Sequence, residues 1–230
     1  MEHSFDDTEF KLAEIKPDPT LLLHSNIPKP LHEVNPRSIM GQKWWDRNRR
    51  IVYEEQGYKC AACGIHKSQA KGKNQWLECH EVYKINYRAG KATFLKLVAL
   101  CPYCHSFIHN GRLQALYDKG EISRTEYFSV LNHGKEILEK YGLFNQWEHR
   151  HDIPDGKVAD WKDWRLIFEG VEYPPKFLSY EEWLEKFGYQ IGNTPKSSPL
   201  FHSARFILFD LIDEDDLDED MIRDIIFGEG

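Results

Sequence analysis

The chain has 230 residues, 41% of them hydrophobic and 13% aromatic, which is the composition of a globular protein with a core of its own. It contains no run of about 18 apolar residues, so it predicts no membrane-spanning helix, and its acidic first residues do not resemble a secretory signal peptide. The net charge of −7 disfavours nucleic-acid binding by the chain as a whole. Five cysteines in such a chain suit a reducing compartment with metal-bound thiolates, and we therefore expect a cytoplasmic protein.

Residues 1–40 are predicted to form a proline-rich arm. Five prolines between Pro17 and Pro36 interrupt any helix. The three leucines at 21–23 are too short a run to form a core alone, so we interpret residues 1–37 as lying outside the core. We expect this segment to pack over the following domain or to contact a partner.

Residues 41–56 are predicted to form a helix that ends before Gly57. Apolar residues recur in it near helical spacing, at Trp44, Trp45, Ile51 and Val52. The tryptophan pair suits the core better than a platform on which bases stack. The arginines on the other faces are better candidates for contacts with phosphate: Arg47, Arg49 and Arg50.

Two Cys-x-x-Cys pairs follow, Cys60 with Cys63 and Cys101 with Cys104. Each pair bends a short turn around one edge of a metal, so two pairs predict one tetrahedral, structural zinc site. A lone pair could instead be a redox motif, but two pairs without a secretory signal favour zinc. The 37 residues between the pairs exceed the about 15–20 of a simple zinc ribbon, so an insert separates them.

The insert predicts a β-hairpin, preceded by a polar, basic loop at residues 67–74. Residues 76–87 have the composition of a strand, residues 88–91 form a turn signal, and residues 92–94 begin a second strand. Residues 97–100 then lead into the second cysteine pair.

A helix is predicted from about Cys104 to about Gly111. It carries His105 and His109, which are four residues apart and therefore lie on one face, one turn from each other. Two imidazoles so placed can bind one metal ion. The same spacing also suits two ordinary polar residues on a solvated helix face.

Together these elements resemble the HNH, or ββα-metal, endonucleases over about residues 41–115. The matching pattern is Cys-x-x-Cys, a strand ending near His80, and Leu-x-x-Leu-Cys-x-x-Cys-His-x-x-x-His at residues 97–109. In that family a β-hairpin and a following helix bind one divalent metal ion, and zinc thiolates support the small fold. The resemblance implies an α+β fold, in which a zinc-braced ββα-metal module precedes a mainly helical C-terminal extension.

The resemblance also implies roles for single residues. His80 corresponds to the general base of the family, and His105 and His109 correspond to ligands of a catalytic Mg²⁺, Mn²⁺ or Zn²⁺ ion. Cys79 and Glu81 are the candidates for a third protein ligand at this catalytic site. A thiolate ligand would favour zinc over magnesium, because soft sulfur suits borderline metals.

Two positions depart from the family pattern. Cys79 stands where the family usually has an Asp or His ligand, and Lys96 stands where it has the Asn that steadies the loop holding the base. On an ideal strand Cys79 and His80 point to opposite faces, so a shared site requires a bend or bulge between them.

Charge is distributed unevenly along the chain. Residues 41–113 hold thirteen Lys or Arg against five Asp or Glu, a net charge of +8, and the remainder carries −15. A basic module inside an acidic protein is expected where one part of a protein meets phosphate. The alternative is a merely solvated surface.

Residues 116–209 are predicted to form a mainly helical region without a second catalytic constellation. A capping box at Ser123 and Glu126 begins a helix that ends at about Tyr141. Residues 161–168 are predicted to form a strand or short helix against the core. Ser179 is predicted to cap a further helix that ends at Gly188.

Residues 210–230 form a separate acidic tail with ten acids against one arginine. Its apolar residues suit an amphipathic helix. Such a helix could dock on the domain with a solvated acidic face, cover the basic module, or bind a protein partner.

The preferred interpretation is an HNH-type, metal-dependent endonuclease that hydrolyses DNA with His80 as its general base. The alternative is a catalytically degenerate, zinc-containing module that binds DNA or another protein. We expect DNA as a partner, no membrane association, and a possible protein partner at the acidic tail.

Overall fold

The protein is described by a computed structural model at residues 16–72, 76–148 and 158–187. This part of the chain is mixed α+β, as predicted, with one four-stranded sheet and seven α-helices. The strands are β1 (Glu78–Asn86), β2 (Lys91–Leu100), β3 (Arg165–Phe168) and β4 (Val171–Tyr173). The helices are α1 (Pro36–Met40), α2 (Gln42–Glu55), α3 (Pro102–Ile108), α4 (Asn110–Asp118), α5 (Arg124–Lys140), α6 (Phe144–Glu148) and α7 (Tyr180–Phe187).

The sheet is built on the predicted hairpin of β1 and β2. Its strand order is β1-β2-β3-β4, with β2 parallel to β3 and the other two pairs antiparallel. β2 extends beyond the predicted residues 92–94, because its second half continues the ladder up to the pair of Leu100 with Glu78. Strands β3 and β4 come from the region predicted to be mainly helical, so that region also contributes half the strands of the sheet.

The helix predicted between Cys104 and Gly111 is instead two helices. α3 begins earlier than predicted, because Cys101 is its N-cap residue and Pro102 occupies the first helical position, where proline is favoured. The chain leaves helical geometry at His109, with φ −87° and ψ 45°, before α4 begins at Asn110.

The N-terminal segment contributes to the core. Leu22 and Leu31 are fully buried, and Leu21 is 7% exposed. Leu31 packs in a cluster with Ala92 of β2 and with the buried side chains Trp164, Leu166 and Phe168. The interpretation of residues 1–37 as lying outside the core is therefore wrong for these leucines, because the run at 21–23 contacts α3, α5 and α6 and Leu31 packs against the sheet.

Two helix starts agree with the predicted caps. The backbone nitrogen of Glu126 donates to Ser123 Oγ at 3.1 Å at the start of α5. The backbone nitrogen of Glu182 donates to Ser179 Oγ at 3.2 Å at the start of α7.

No helix in the described ranges is both long and apolar enough to cross a membrane. The acidic tail lies outside the described residues, and the division into domains stays a prediction.

Close packing of α5 against α3 depends on Gly134. A Cβ atom at this position would overlap the ring of Phe107, which is 1% exposed. Glycine in a helix normally costs about 1 kcal/mol relative to alanine, so its presence here is explained by the close approach of the two helices.

Gly134→Ala is expected to lower the free energy of unfolding by about 1–3 kcal/mol, as overpacked cores do. The matched control is Gly111→Ala in α4, where a Cβ would meet nothing within 4 Å. The control should be neutral or stabilising by up to about 1 kcal/mol. Urea unfolding of both variants measures the difference, and equal effects would contradict the packing argument.

Candidate metal sites

The four paired cysteines form one cluster. Their sulfur atoms all lie within 4.8 Å of one another, and the Sγ atoms of Cys63 and Cys101 are 3.9 Å apart. A tetrahedral zinc ion with Zn–S bonds of about 2.3 Å places sulfurs about 3.8 Å apart. All four thiols are free rather than paired in disulfides. The residues therefore fit a structural metal ion such as zinc, in agreement with the sequence prediction.

The first cysteine pair lies in a tight turn. The backbone nitrogen of Cys60 donates to Ile65 O at 2.9 Å, and that of Gly64 donates to Cys60 O at 2.8 Å. Gly64 has φ +79°, and a Cβ atom there would lie 2.7 Å from Pro17 Cγ. Ala61 N donates to Ala99 O at 2.8 Å, which attaches the turn to β2. Glycine is therefore required at position 64 both by its backbone conformation and by the packed proline.

The second cysteine pair lies at the start of α3. Cys101 is the N-cap residue, and its sulfur accepts a hydrogen bond from the backbone nitrogen of Cys104 at 3.4 Å. The positive end of a helix stabilises a thiolate placed in this way. The start of α3 therefore supplies two of the four sulfurs.

Mutual contact perturbs the pKa values of these thiols. Hydrogen bonds from Cys101 and Cys104 hold the pKa of Cys60 well below its usual range. The contact with Cys101 raises the pKa of Cys104 well above its usual range. Four thiolates this close repel one another, so full ionisation requires a cation among them, which is the chemistry of a metal site.

His133 of α5 contacts the cysteine cluster without belonging to it. This residue was not identified from the sequence. Its Nε2 lies 3.5 Å from Cys104 Sγ and 3.8 Å from Cys101 Sγ. An N–H group at this distance can donate to both thiolates and orient them, as residues that contact metal ligands commonly do. The hint in the sequence was its place beside Gly134, on the buried stripe of α5.

A second cluster contains His80, His105 and His109. Their ring nitrogens lie within 4.8 Å of one another, and His109 Nε2 is 3.2 Å from His80 Nδ1. Nitrogens in a tetrahedral zinc site, with bonds of about 2.0–2.1 Å, lie about 3.4 Å apart. The described part of the chain therefore brings all three predicted histidines together, in an arrangement that fits one metal ion.

His80 and His109 are held in the neutral form in which imidazole binds metals. Burial, followed by the charges of neighbouring histidines, lowers the pKa of His80 to about 2. Burial and the charge of His105 lower the pKa of His109 to about 3. At neutral pH the lone pairs of both rings are therefore available.

Glu78 supports this cluster from β1. Its carboxylate contacts Nδ1 of His105, and this contact lowers the pKa of Glu78. A carboxylate on one ring nitrogen orients the imidazole and increases its basicity at the other. Nε2 of His105 is then the nitrogen left for a metal.

The structure does not bring Cys79 into the histidine cluster. The β1–β2 ladder is regular at Cys79 and His80, and its only irregularity lies between Val82 and Tyr83. Cys79 and His80 therefore point to opposite faces, and the bulge that a shared site requires is absent at this point of the described ladder. Burial raises the pKa of the Cys79 thiol to about 12, so it is no ready thiolate ligand.

Glu81 also lies outside the three-histidine group. It lines a cavity of about 190 Å³, and His80 and His109 line the same cavity. Burial raises the pKa of its carboxyl group. Lys96, at the position of the family asparagine, is an exposed residue of β2 paired with Val82.

His24 is a further imidazole that the sequence did not reveal. Its ring packs edge-on against His80, with centroids 5.5 Å apart. The backbone nitrogen of Tyr83 donates to His24 Nε2 at 2.8 Å, which anchors the ring to β1. Nothing near His24 in the sequence indicates this role, because 59 residues separate it from Tyr83.

No family model, curated protein or solved structure matches the chain. The resemblance to the HNH endonucleases therefore rests on the residues quoted above and on the order of β1, β2 and α3.

Cys63→Ser should abolish zinc binding at the cysteine cluster and unfold the surrounding region. The reason is that a structural zinc ion contributes on the order of 10–16 kcal/mol in small peptides. Metal analysis of the purified protein together with circular dichroism measures both effects. Cys79→Ser is the matched control and should keep this zinc ion, and zinc-free wild-type protein would contradict the assignment.

His133→Ala is expected to weaken zinc binding about 10–100-fold, because the thiolates lose a hydrogen-bond donor but no ligand. Competition with a chromophoric chelator measures the affinity. Asn132→Ala, at an exposed position of the same helix, should leave it unchanged. Equal zinc affinities in the two variants would mean that His133 only packs against the cluster and does not strengthen zinc binding.

Proposed function

We propose that the chain is a metal-dependent, HNH-like endonuclease that hydrolyses phosphodiester bonds in DNA. The observation that carries the proposal is the cluster of His80, His105 and His109 where the hairpin meets α3. The neighbouring cysteine cluster supports the same unit, as the zinc thiolates of that family do.

A catalytic divalent ion would be held by His105 and His109. Both offer an imidazole nitrogen within reach of one point, and Glu78 orients the ring of His105. When bound, such an ion stabilises the negative charge that develops on the phosphate.

His80 is the proposed general base. Water adds to phosphorus, the bond to the leaving sugar oxygen breaks, and His80 accepts the proton of the water. Its Nε2 has no hydrogen-bond partner among the described residues. The burial that lowers the pKa of His80 also makes it a weak base, so this role requires that water and substrate in the bound site raise the pKa towards neutrality. In the competing role, His80 is a third metal ligand through Nδ1, the atom closest to His109.

Positive charge near the histidines suits a phosphate substrate. Arg112 lies close enough to influence the pKa values of Glu78 and His109, and Arg37 that of Glu81. Guanidinium groups bind phosphate in bidentate geometry and attract a polyanion over longer distances.

One observation favours a second candidate function. His80 is only 4% exposed, which is a restricted position for a group that must reach water beside a DNA strand. With Cys79 on the other face, the three histidines would then hold a second structural metal ion. The chain would bind DNA or a protein without cutting it.

His80→Ala separates these functions. If His80 is the base, plasmid cleavage with Mg²⁺, Mn²⁺ or Zn²⁺ should fall about 10²–10⁴-fold while the metal content stays that of the wild type. If His80 is a ligand, metal is lost together with cleavage. His66→Gln is the control, since this imidazole lies outside both clusters and bonds to Ser68. Absence of cleavage by the wild type under every metal would favour the binding module.

His105→Ala should also abolish cleavage, but high concentrations of divalent ion should partly restore it, because the lost group is a ligand. If His80 is the general base, added divalent ion should not restore cleavage by His80→Ala. Identical behaviour of the two variants would contradict the division of roles between them.

A further inference from the structure

A cavity of about 530 Å³ lies between α2 and the start of β1 and reaches His105 of the histidine cluster. Pockets that bind small molecules in proteins have volumes of about 300–1,000 Å³. The cavity therefore has the size for one nucleotide, and one proposed metal ligand, His105, is part of its lining.

One wall of this cavity is a chain of hydrogen bonds. Arg37 Nε donates to Gln42 Oε1 at 2.8 Å, and Gln42 Nε2 donates to Asp46 Oδ1 at 3.0 Å. Arg49 Nε donates to the same oxygen of Asp46 at 2.8 Å. The network fixes the wall and neutralises Asp46 within it.

Arg37 is the cation of this wall that is available to a ligand. Its guanidinium group has no carboxylate within ion-pair distance in the described ranges, and only its Nε is engaged. Of the carboxylates nearby, Asp46 is paired with Arg49 and Glu78 with His105. Burial raises the pKa of Glu81 and the charge of Arg37 opposes this shift, but Glu81 forms no ion pair with Arg37 among the described residues. A guanidinium group oriented in this way matches the two oxygens of a phosphate.

Three aromatic residues also line the cavity, Trp45 and Tyr53 of α2 and Trp76 just before β1. Trp45 and Tyr53 are buried at 9% and 5% exposure, whereas Trp76 is 42% exposed. Lys67 Nζ lies 4.3 Å from the centroid of the Trp76 ring, which holds the ring from one face. An exposed, positioned tryptophan beside a cation is the arrangement on which nucleobases stack in single-stranded nucleic-acid sites.

We propose that this cavity binds one unstacked nucleotide of a single-stranded nucleic acid, with its phosphate at Arg37 and its base on Trp76. The inference rests on the proposed function, because it takes nucleic acid as the ligand. Bases inside a duplex have both faces covered by their neighbours, so a base can reach Trp76 only from a single strand or after leaving the stack. The proposed substrate is therefore single-stranded or locally unpaired.

The first test measures binding of an oligothymidylate of about 12 nucleotides and of a hairpin duplex of similar length, without added divalent ions. Trp76→Ala should weaken binding of the single strand at least about fivefold and that of the duplex less. Trp76→Phe should retain most of the affinity, because it keeps an aromatic face. Trp161→Ala, outside the cavity, is the matched control.

Arg37→Gln should reduce the slope of the logarithm of single-strand affinity against the logarithm of salt concentration. The expected reduction is that of about one phosphate contact, measured between about 50 and 200 mM salt. Arg47→Gln, an exposed arginine of α2 outside the cavity, should change binding of both nucleic acids alike. Equal effects of the two variants on the ratio of single-strand to duplex affinity would overturn the assignment of phosphate to Arg37.

A third measurement needs no variant. An oligonucleotide with 5-iodouracil is crosslinked to the wild-type protein by light, and the modified peptide is mapped by mass spectrometry. Attachment at Trp76 is expected, and attachment only at other residues would overturn the inference. Cleavage is followed in the same samples. Crosslinking at Trp76 without cleavage in the presence of divalent ions overturns the nuclease proposal alone, whereas cleavage with crosslinks only at other residues overturns this inference alone.

Discussion

The four cysteine side chains bring together two pieces of chain that are 37 residues apart in the sequence, the turn at Cys60 and the start of α3. The turn that carries Cys60 is attached to β2 by a backbone hydrogen bond, and Cys101 is the residue from which α3 begins. The direction in which α3 leaves the sheet decides whether His105 and His109 face His80 on β1. The sulfur cluster and the packing of Phe107 against Gly134 therefore position the histidine cluster together, although the two clusters share no residue.

Much of this arrangement could be predicted from the sequence, because it follows from local patterns. Cysteine spacing indicated one metal site, strand composition and a turn signal indicated the hairpin, and a four-residue interval placed His105 beside His109. The contributions of His24 and His133 could not be predicted, because they are brought in by tertiary packing from 59 residues away in one case and 29 in the other. The burial of Leu22 and Leu31 was missed for the same reason.

Strand geometry separates the two residues that the family pattern would place in one site. Alternation along β1 turns Cys79 towards α2 and His80 towards α3, and only a local bulge could have united them. The irregularity in this hairpin comes later, after Val82. If the chain is a nuclease, its catalytic metal is therefore held by imidazoles. If it is not, the same imidazoles suit a second structural ion, and burial of His80 fits that role without difficulty.

The parallel pairing of β2 with β3 has a consequence for how the protein is made. Ala92 faces Leu166 across this pair, and the same cluster includes Leu31. The backbone nitrogen of Lys176 also donates to Pro30 O at 2.9 Å. Leu31 therefore meets Trp164, Leu166 and Phe168 only after more than 130 further residues have been made. Contacts of such long sequence separation form slowly, so the growing chain leaves Leu31 and the edge of β2 incompletely covered while those residues are synthesised.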